Sequence, residues 1–335
     1  MQLDYSLLLD NIKRRRYDEA IRKYVLSPSY FNEKLPKCVR YAHEAMLEID
    51  SSYAYKVYAN ARRIHETITR ELRQQNINVM IRYQGALRTD THIRLYGEVD
   101  LLFLLDEKAT HKEVFALGQL LRDIASRQNH QTLDYGDGVR IKLVTQKPNC
   151  RINLIPCTWI NNQSYMERRN EIYRGIVVYN FKDKTRKKHL PFLNMGRMNA
   201  KDAATNGGYK KAVRLIKSLS TDDSIALNAY ELSSLIYKME DRHLTIKSEG
   251  QELAILPSIS QYLEQLVDDK DQFEMLLSPS EKELIFGERP GKRELVKKLH
   301  SSLNQLMQDL REPLGQDLKE KVDYDSEVSS HAEPE

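Results

Sequence analysis

Between Ile77 and Leu105 the spacing of apolar residues changes period, and that change restricts the fold more than any other feature of the chain. Upstream, Tyr55, Tyr58, Ala61, Ile64, Ile68 and Leu72 fall on or near one stripe behind Ser51 and Ser52, two good N-cap residues. This predicts a long helix to about residue 75 whose apolar stripe packs into a core. Downstream, residues 77–83 alternate into Gly85, and residues 98–105 form a nearly continuous apolar run. Two strands are expected there, one of them buried, flanking a polar connection.

Helical spacing is also expected over 5–26, 36–48 and 111–127, and strands over 138–145, 149–155 and 172–181. Residues 182–188 read as a charged hairpin tip or loop, and the remainder is mainly helical at 208–218, 229–239, 258–267 and 292–310. From about residue 316 the chain carries Asp317, Glu320, Asp323, Asp325, Glu327, Glu333 and Glu335 against two lysines, too few apolar groups to order itself. The expected layout is N-terminal helices plus an α/β core over 1–195, a helical lobe over 196–315 and a mobile acidic tail over 316–335. The fold class is α/β (α+β), in two lobes.

With 335 residues and 41% hydrophobic composition the chain has ample material for a core, which excludes disorder as a whole. The balance of 52 Lys+Arg against 48 Asp+Glu leaves a net charge of only +4, so an anionic partner must be met by a local patch. Three cysteines, Cys38, Cys150 and Cys157, make no disulfide framework and have no zinc spacing. No run of eighteen apolar residues occurs, and Met1-Gln2-Leu3-Asp4-Tyr5 lacks the order of a secretion signal. A soluble, cytoplasmic protein without direct membrane insertion is the expectation.

The chemistry concentrates between Tyr83 and Leu102, where Gly85 precedes the acidic pair Glu98 and Asp100. Side chains at i and i+2 of a strand share a side, so the two carboxylates can converge on one or two magnesium ions while Val99 and Leu101 face the core. A glycine lets backbone approach a ligand, and amides at the start of a short helix after Gly85 can hold phosphate. Taken alone, an acidic pair of this spacing is as easily a solvated strand end.

The arrangement of glycine turn, Glu98-Val99-Asp100, the later strand Arg151-Ile152-Asn153-Leu154-Ile155-Pro156, and the helical segments at Asn206-Gly207-Gly208 and Tyr230-Glu231-Leu232 resembles the polymerase-β-type nucleotidyltransferases. Within them it is similar to the cGAS/DncV-like group of bacterial immune signalling enzymes, over about residues 50–245. The resemblance implies an antiviral-defence nucleotidyltransferase with an active site between a small mixed sheet and a helical lobe. It implies two Mg2+ ions, replaceable by Mn2+, on Glu98, Asp100 and position 153, and nucleotide contacts from Gly85, Ala86, Lys210, Lys217 and Tyr230.

Two positions depart from the pattern. Ala86 stands where a serine is usual, which leaves the backbone amides in place. Asn153 stands where a third carboxylate normally ligates the metal and helps take a proton, and an amide does neither as well. Either the chain is a natural non-catalytic form, or Asn153 replaces an aspartate as an engineered trap that still binds nucleotide. Intact Glu98 and Asp100 favour the latter.

Tyr324, in the acidic tail, can supply a tethered hydroxyl as the first acceptor. In this the chain resembles the Hailong branch, which implies linear oligodeoxyadenylate made from dATP, primed on the C-terminal tyrosine and read by a membrane effector protein. The rivals are a synthase of cyclic oligonucleotide second messengers and a non-catalytic nucleotide-binding protein.

Overall fold

The computed structural model describes residues 3–16, 35–49, 51–94, 98–128, 131–134, 140–144, 151–248, 250–287 and 289–314. The chain opens with two helices, α1 (Tyr5–Arg16) and α2 (Lys37–Met46), and then enters the first of two units, residues 49–197. That unit runs α3 (Ser51–Gln74), β1 (Met80–Gln84), β2 (Glu98–Leu105), α4 (His111–Arg127), β3 (Gln131–Asp134), β4 (Ile141–Val144), β5 (Arg151–Ile160), α5 (Gln163–Arg168), β6 (Gly175–Asn180) and β7 (Thr185–His189). The helix α6 (Pro191–Ala204) leads out of it.

The described strands form one mixed sheet of seven, in the order β1-β2-β5-β4-β3, with β6 and then β7 extending from β5. β2 and β5 run parallel and the other pairs antiparallel. Strand alternation sorts the side chains into two faces. Val99, Leu101, Phe103, Ile152 and Leu154 pack with Val57, Ala61, Ile64, Ile68 and Leu72 of α3 and Leu117, Leu121 and Ile124 of α4. Leu102, Leu104, Cys157, Trp159 and Ile176 line the other face with Phe192. The expected stripe on α3 holds except at Tyr55, which is 74% exposed.

A division at residue 195 expects the N-terminal helices to join this unit, and they do not. Residues 1–48 belong with 198–335. That unit contains α7 (Gly208–Asp222), α8 (Ala229–Tyr237), α9 (Leu256–Asp268), α10 (Lys270–Glu274) and α11 (Lys292–Leu314). The reason is burial. Leu8, Leu9, Ile12, Val39, Tyr41 and Met46 share one core with Val213, Ile216, Leu303 and Leu306. Polar links reinforce it: Arg15 makes a forked pair with Asp222 at 2.5 and 3.1 Å, and the Tyr41 hydroxyl donates to the same carboxylate at 2.9 Å. The buried Arg214 of α7 donates from Nε to the Met46 carbonyl at 2.6 Å, at the end of α2.

Residues 182–188 are also more than a loop. Thr185–His189 is a strand, paired with β6 from Ile176↔His189 to Asn180↔Thr185. Among the described residues no helix is long and apolar enough to cross a membrane.

Candidate active site

Strand β2 begins at Glu98, so Glu98 and Asp100 project from the same face of its first turn of pleat, while Val99 and Leu101 are fully buried on the other. The parallel ladder places Asn153 of β5 directly opposite Asp100, and Arg151 opposite Glu98. The three expected site residues are therefore neighbours by backbone register. Asn153, 3% exposed, donates from Nδ2 to Asp100 Oδ1 at 2.6 Å and to Glu98 Oε2 at 3.3 Å. Its amide nitrogen sits between two carboxylates whose mutual repulsion it offsets. Arg151 Nη1 approaches Glu98 Oε1 at 3.4 Å from the next position on the strand, a cation the sequence did not single out.

Gly85 closes the other side. Its φ is +109°, and a Cβ there would lie 3.3 Å from Asp100 Oδ2, so glycine suits both the backbone angle and the approach to the carboxylate. The expected short helix after Gly85 is instead an irregular turn. Arg88 N–H donates to the Gly85 carbonyl at 3.0 Å, and Thr91 N–H to the Ala86 carbonyl at 3.0 Å. Thr89 and Thr91 hydroxyls meet at 3.0 Å beneath it. An anion cradle at this turn cannot use the Arg88 and Thr91 amides, which are spent within the loop.

The donor set suits a hard divalent cation. Among the described residues no three His, Cys, Asp or Glu side chains cluster as metal ligands, because the third position here is an amide. Yet Asn153 Oδ1 is buried with no hydrogen-bond partner. A half-turn about the last side-chain bond exchanges it with Nδ2 and presents a third oxygen beside the two carboxylates. Glu98, Asp100 and Asn153 thus fit Mg2+, with one negative charge fewer than a triple carboxylate.

The other expected nucleotide contacts lie in the helical unit. Lys210 is held by Asp202, at 3.7 Å from Nζ to Oδ2, with its own N–H donating to Asp202 Oδ1 at 2.9 Å. Lys217 is only 5% exposed, and desolvation, aided by the nearby charge of Arg214, brings its pKa down to about 7. Tyr230, in the first turn of α8, keeps an exposed ring. Tyr324 lies outside the described residues.

Comparison with known proteins shows what this chain is similar to. Residues 196–311 match the cGAS/DncV-like nucleotidyltransferase C-terminal helical domain. A cyclic dinucleotide synthase CdnE of Yersinia aleksiciae is 25% identical over 337 residues, covering 91% of this chain and 87% of that protein. The chain is similar to the cGAS/DncV-like nucleotidyltransferases, and its helical part carries their C-terminal domain. The structure of a STING-associated CdnE c-di-GMP synthase from Capnocytophaga granulosa shares this chain's fold, with a TM-score of 0.77 at 24% identity, over 92% of this chain and 99% of that one. A Rhodothermus marinus CdnE c-UMP-AMP synthase, solved with Apcpp and Upnpp, gives 0.60 at 17% identity over 80% and 95% of the two chains. A mixed sheet and a helical unit in one chain are thus a fold shared with these solved structures.

Proposed function

We propose that this nucleotidyltransferase, with a carboxylate restored at position 153, joins nucleoside triphosphates into a cyclic oligonucleotide signal, and that Asn153 holds the present chain in a form that binds nucleotide with little turnover. The observation that carries the reading is the convergence of Glu98, Asp100 and Asn153 on one face of the β2–β5 ladder. Ring closure is favoured because curated relatives that span nearly the whole chain are described as cyclic dinucleotide and c-di-GMP synthases.

The bound cation would supply charge neutralisation at the triphosphate and a lowered barrier for the attacking hydroxyl. Glu98 and Asp100 hold that charge in place. A carboxylate at 153 accepts the proton of the hydroxyl as its oxygen bonds to the α-phosphorus and the bond to the bridging oxygen breaks, releasing pyrophosphate. An amide at 153 has no proton-accepting capacity of that kind. Gly85 and Ala86 admit the phosphates close to the backbone, and contacts of Lys210, Lys217 and Tyr230 with nucleotide belong to the same proposal. The product would be read by an effector protein in anti-phage signalling, in line with a structural relative described as STING-associated.

The test is incubation of Asn153→Asp protein with each ribo- and deoxyribonucleoside triphosphate and Mg2+. A product resistant to exonuclease and phosphatase supports ring closure. Oligodeoxyadenylate attached to the protein, seen as added mass on Tyr324, would replace this reading with the linear, tyrosine-primed one. No product from any substrate leaves a nucleotide-binding protein without turnover.

A further inference from the structure

The hairpin of β6 and β7 carries a feature that nucleotidyl transfer does not use. Lys182, Lys184, Arg186, Lys187 and Lys188 are all exposed, and none forms an ion pair with a described residue. The acid among them, Asp183, is engaged by Asn180, whose Nδ2 donates to its Oδ2 at 2.7 Å and whose Oδ1 accepts its N–H at 3.0 Å. Among the described residues β7 pairs only with β6.

Beside these cations lies a cluster of rings. Tyr179 and Phe181 are stacked, with centroids 5.9 Å apart and planes 30° apart. Phe115 of α4 tilts against Phe181 at 5.1 Å and is 40% exposed. Register puts Arg186 opposite Tyr179 and Lys188 opposite Val177, so by strand alternation two cations share the face of the rings. This face is the reverse of the one bearing Asp100 and Asn153. Asn153, Ile155, Cys157 and Trp159 alternate along β5 on one side, with Val178 and Ile176 as partners of the last two, which leaves Val177 and Tyr179 on the other.

We propose that this hairpin face binds single-stranded nucleic acid, separately from the acidic site. Residues two apart on a strand repeat at about 7 Å, a spacing that lets Arg186 and Lys188 meet successive phosphates of an extended strand. Rings at the side of such a cationic track stack unpaired bases, which a duplex keeps inside its helix. Lysines on an edge strand also discourage sheet-to-sheet association; that role asks nothing of the three rings. A lipid surface fits less well, because the rings pack on one another rather than project singly.

Fluorescence anisotropy of the full chain with a labelled single strand of about twenty nucleotides, across a salt series, tests the proposal. The parent should bind with a steep inverse dependence on salt. The triple variant Lys182→Ser, Arg186→Ser, Lys188→Ser, all at exposed positions, should bind at least tenfold more weakly and lose roughly 2 from the log–log salt slope, at about 0.7 per phosphate contact. Phe181→Leu should weaken binding about tenfold with the slope unchanged, as loss of stacking requires. Affinity of the triple variant within twofold of the parent overturns the proposal. So does tighter binding of a duplex of the same length or of phosphatidylserine vesicles, or displacement of the strand by saturating nucleoside triphosphate. None of these readouts depends on catalytic turnover, so the acidic-site reading stands or falls on its own experiment.

Discussion

Asn153 faces Asp100 across a parallel ladder, and its Nδ2 lies 2.6 Å from Oδ1, so the one uncharged member of the site is also the group that bridges the other two. Converting that amide to an acid exchanges an attraction for a repulsion. Without metal, Asn153→Asp should lower stability by about 1–3 kcal/mol, since two buried hydrogen bonds become a like-charge contact. Adding Mg2+ should restore the melting temperature in the variant and shift the parent much less. A thermal melt with and without EDTA checks this. Equal Mg2+ shifts in the two proteins would move the metal site elsewhere.

Asp100→Asn in the Asn153→Asp background should abolish nucleotidyl transfer, because one carboxylate remains of the pair that holds the cation. The measurement is pyrophosphate release. Retained activity would mean that Glu98 and Asp100 are a solvated strand end.

Gly85→Ala should cost about 1–2 kcal/mol, since a side chain at a φ of +109° is strained and its Cβ meets Asp100 Oδ2 at 3.3 Å. Denaturant unfolding gives the cost. The same variant should weaken Mg2+ affinity in the Asn153→Asp background, as the carboxylate turns away from the methyl group.

Arg82 and Glu171 form a forked pair at 2.5 and 2.8 Å, and hydrogen bonding from Arg82 holds the Glu171 carboxyl below its ordinary pKa. A depressed carboxylate stabilises the fold above its unfolded pKa and loses that contribution as pH falls through the folded value. Glu171→Gln should therefore cost about 0.5–1 kcal/mol at pH 7, a partly exposed pair being screened. The difference from the parent should vanish in acid. A constant difference down to pH 3 would assign the effect to packing.

Lys217 titrates in the opposite sense. Its folded pKa is about 7, below the unfolded value near 10.4, so between these limits the unfolded chain binds more protons and stability rises with pH. Lys217→Met should remove that rise, which is of the order of a few kcal/mol across the window. Urea unfolding at pH 7, 8.5 and 10 reads it directly, and parallel curves for parent and variant would show a lysine charged throughout.

Much of the architecture was legible because the local pattern and the final environment agree. Glu98–Leu105 is a strand with the bounds its apolar run indicates, and His111–Arg127 is a helix behind the Thr110 cap. β7 was not legible, because Thr-Arg-Lys-Lys-His contains no apolar residue and owes its extended form to pairing with β6. The site was readable as residue types, and Asn153 as the odd member among them. That its nitrogen would occupy the space between both acids depends on the register of two strands almost fifty residues apart in sequence, which no local pattern encodes. The allegiance of α1 and α2 was hidden for a similar reason: their apolar faces carry no address, and the partners lie beyond residue 198.

That allegiance bears on how the protein is made. Residues 49–197 are an insertion within the helical unit, which is begun before them and completed after them. As the chain leaves the ribosome, the inserted sheet has all its strands and can fold in sequence, domain by domain. The faces of α1 and α2 that bear Leu8, Leu9, Ile12, Val39 and Met46 must wait until α7 and α11 are synthesised. Nascent chains that stop short of α11 would present an intact sheet domain and an uncovered apolar N-terminus, the kind of surface that chaperones bind and proteases clear.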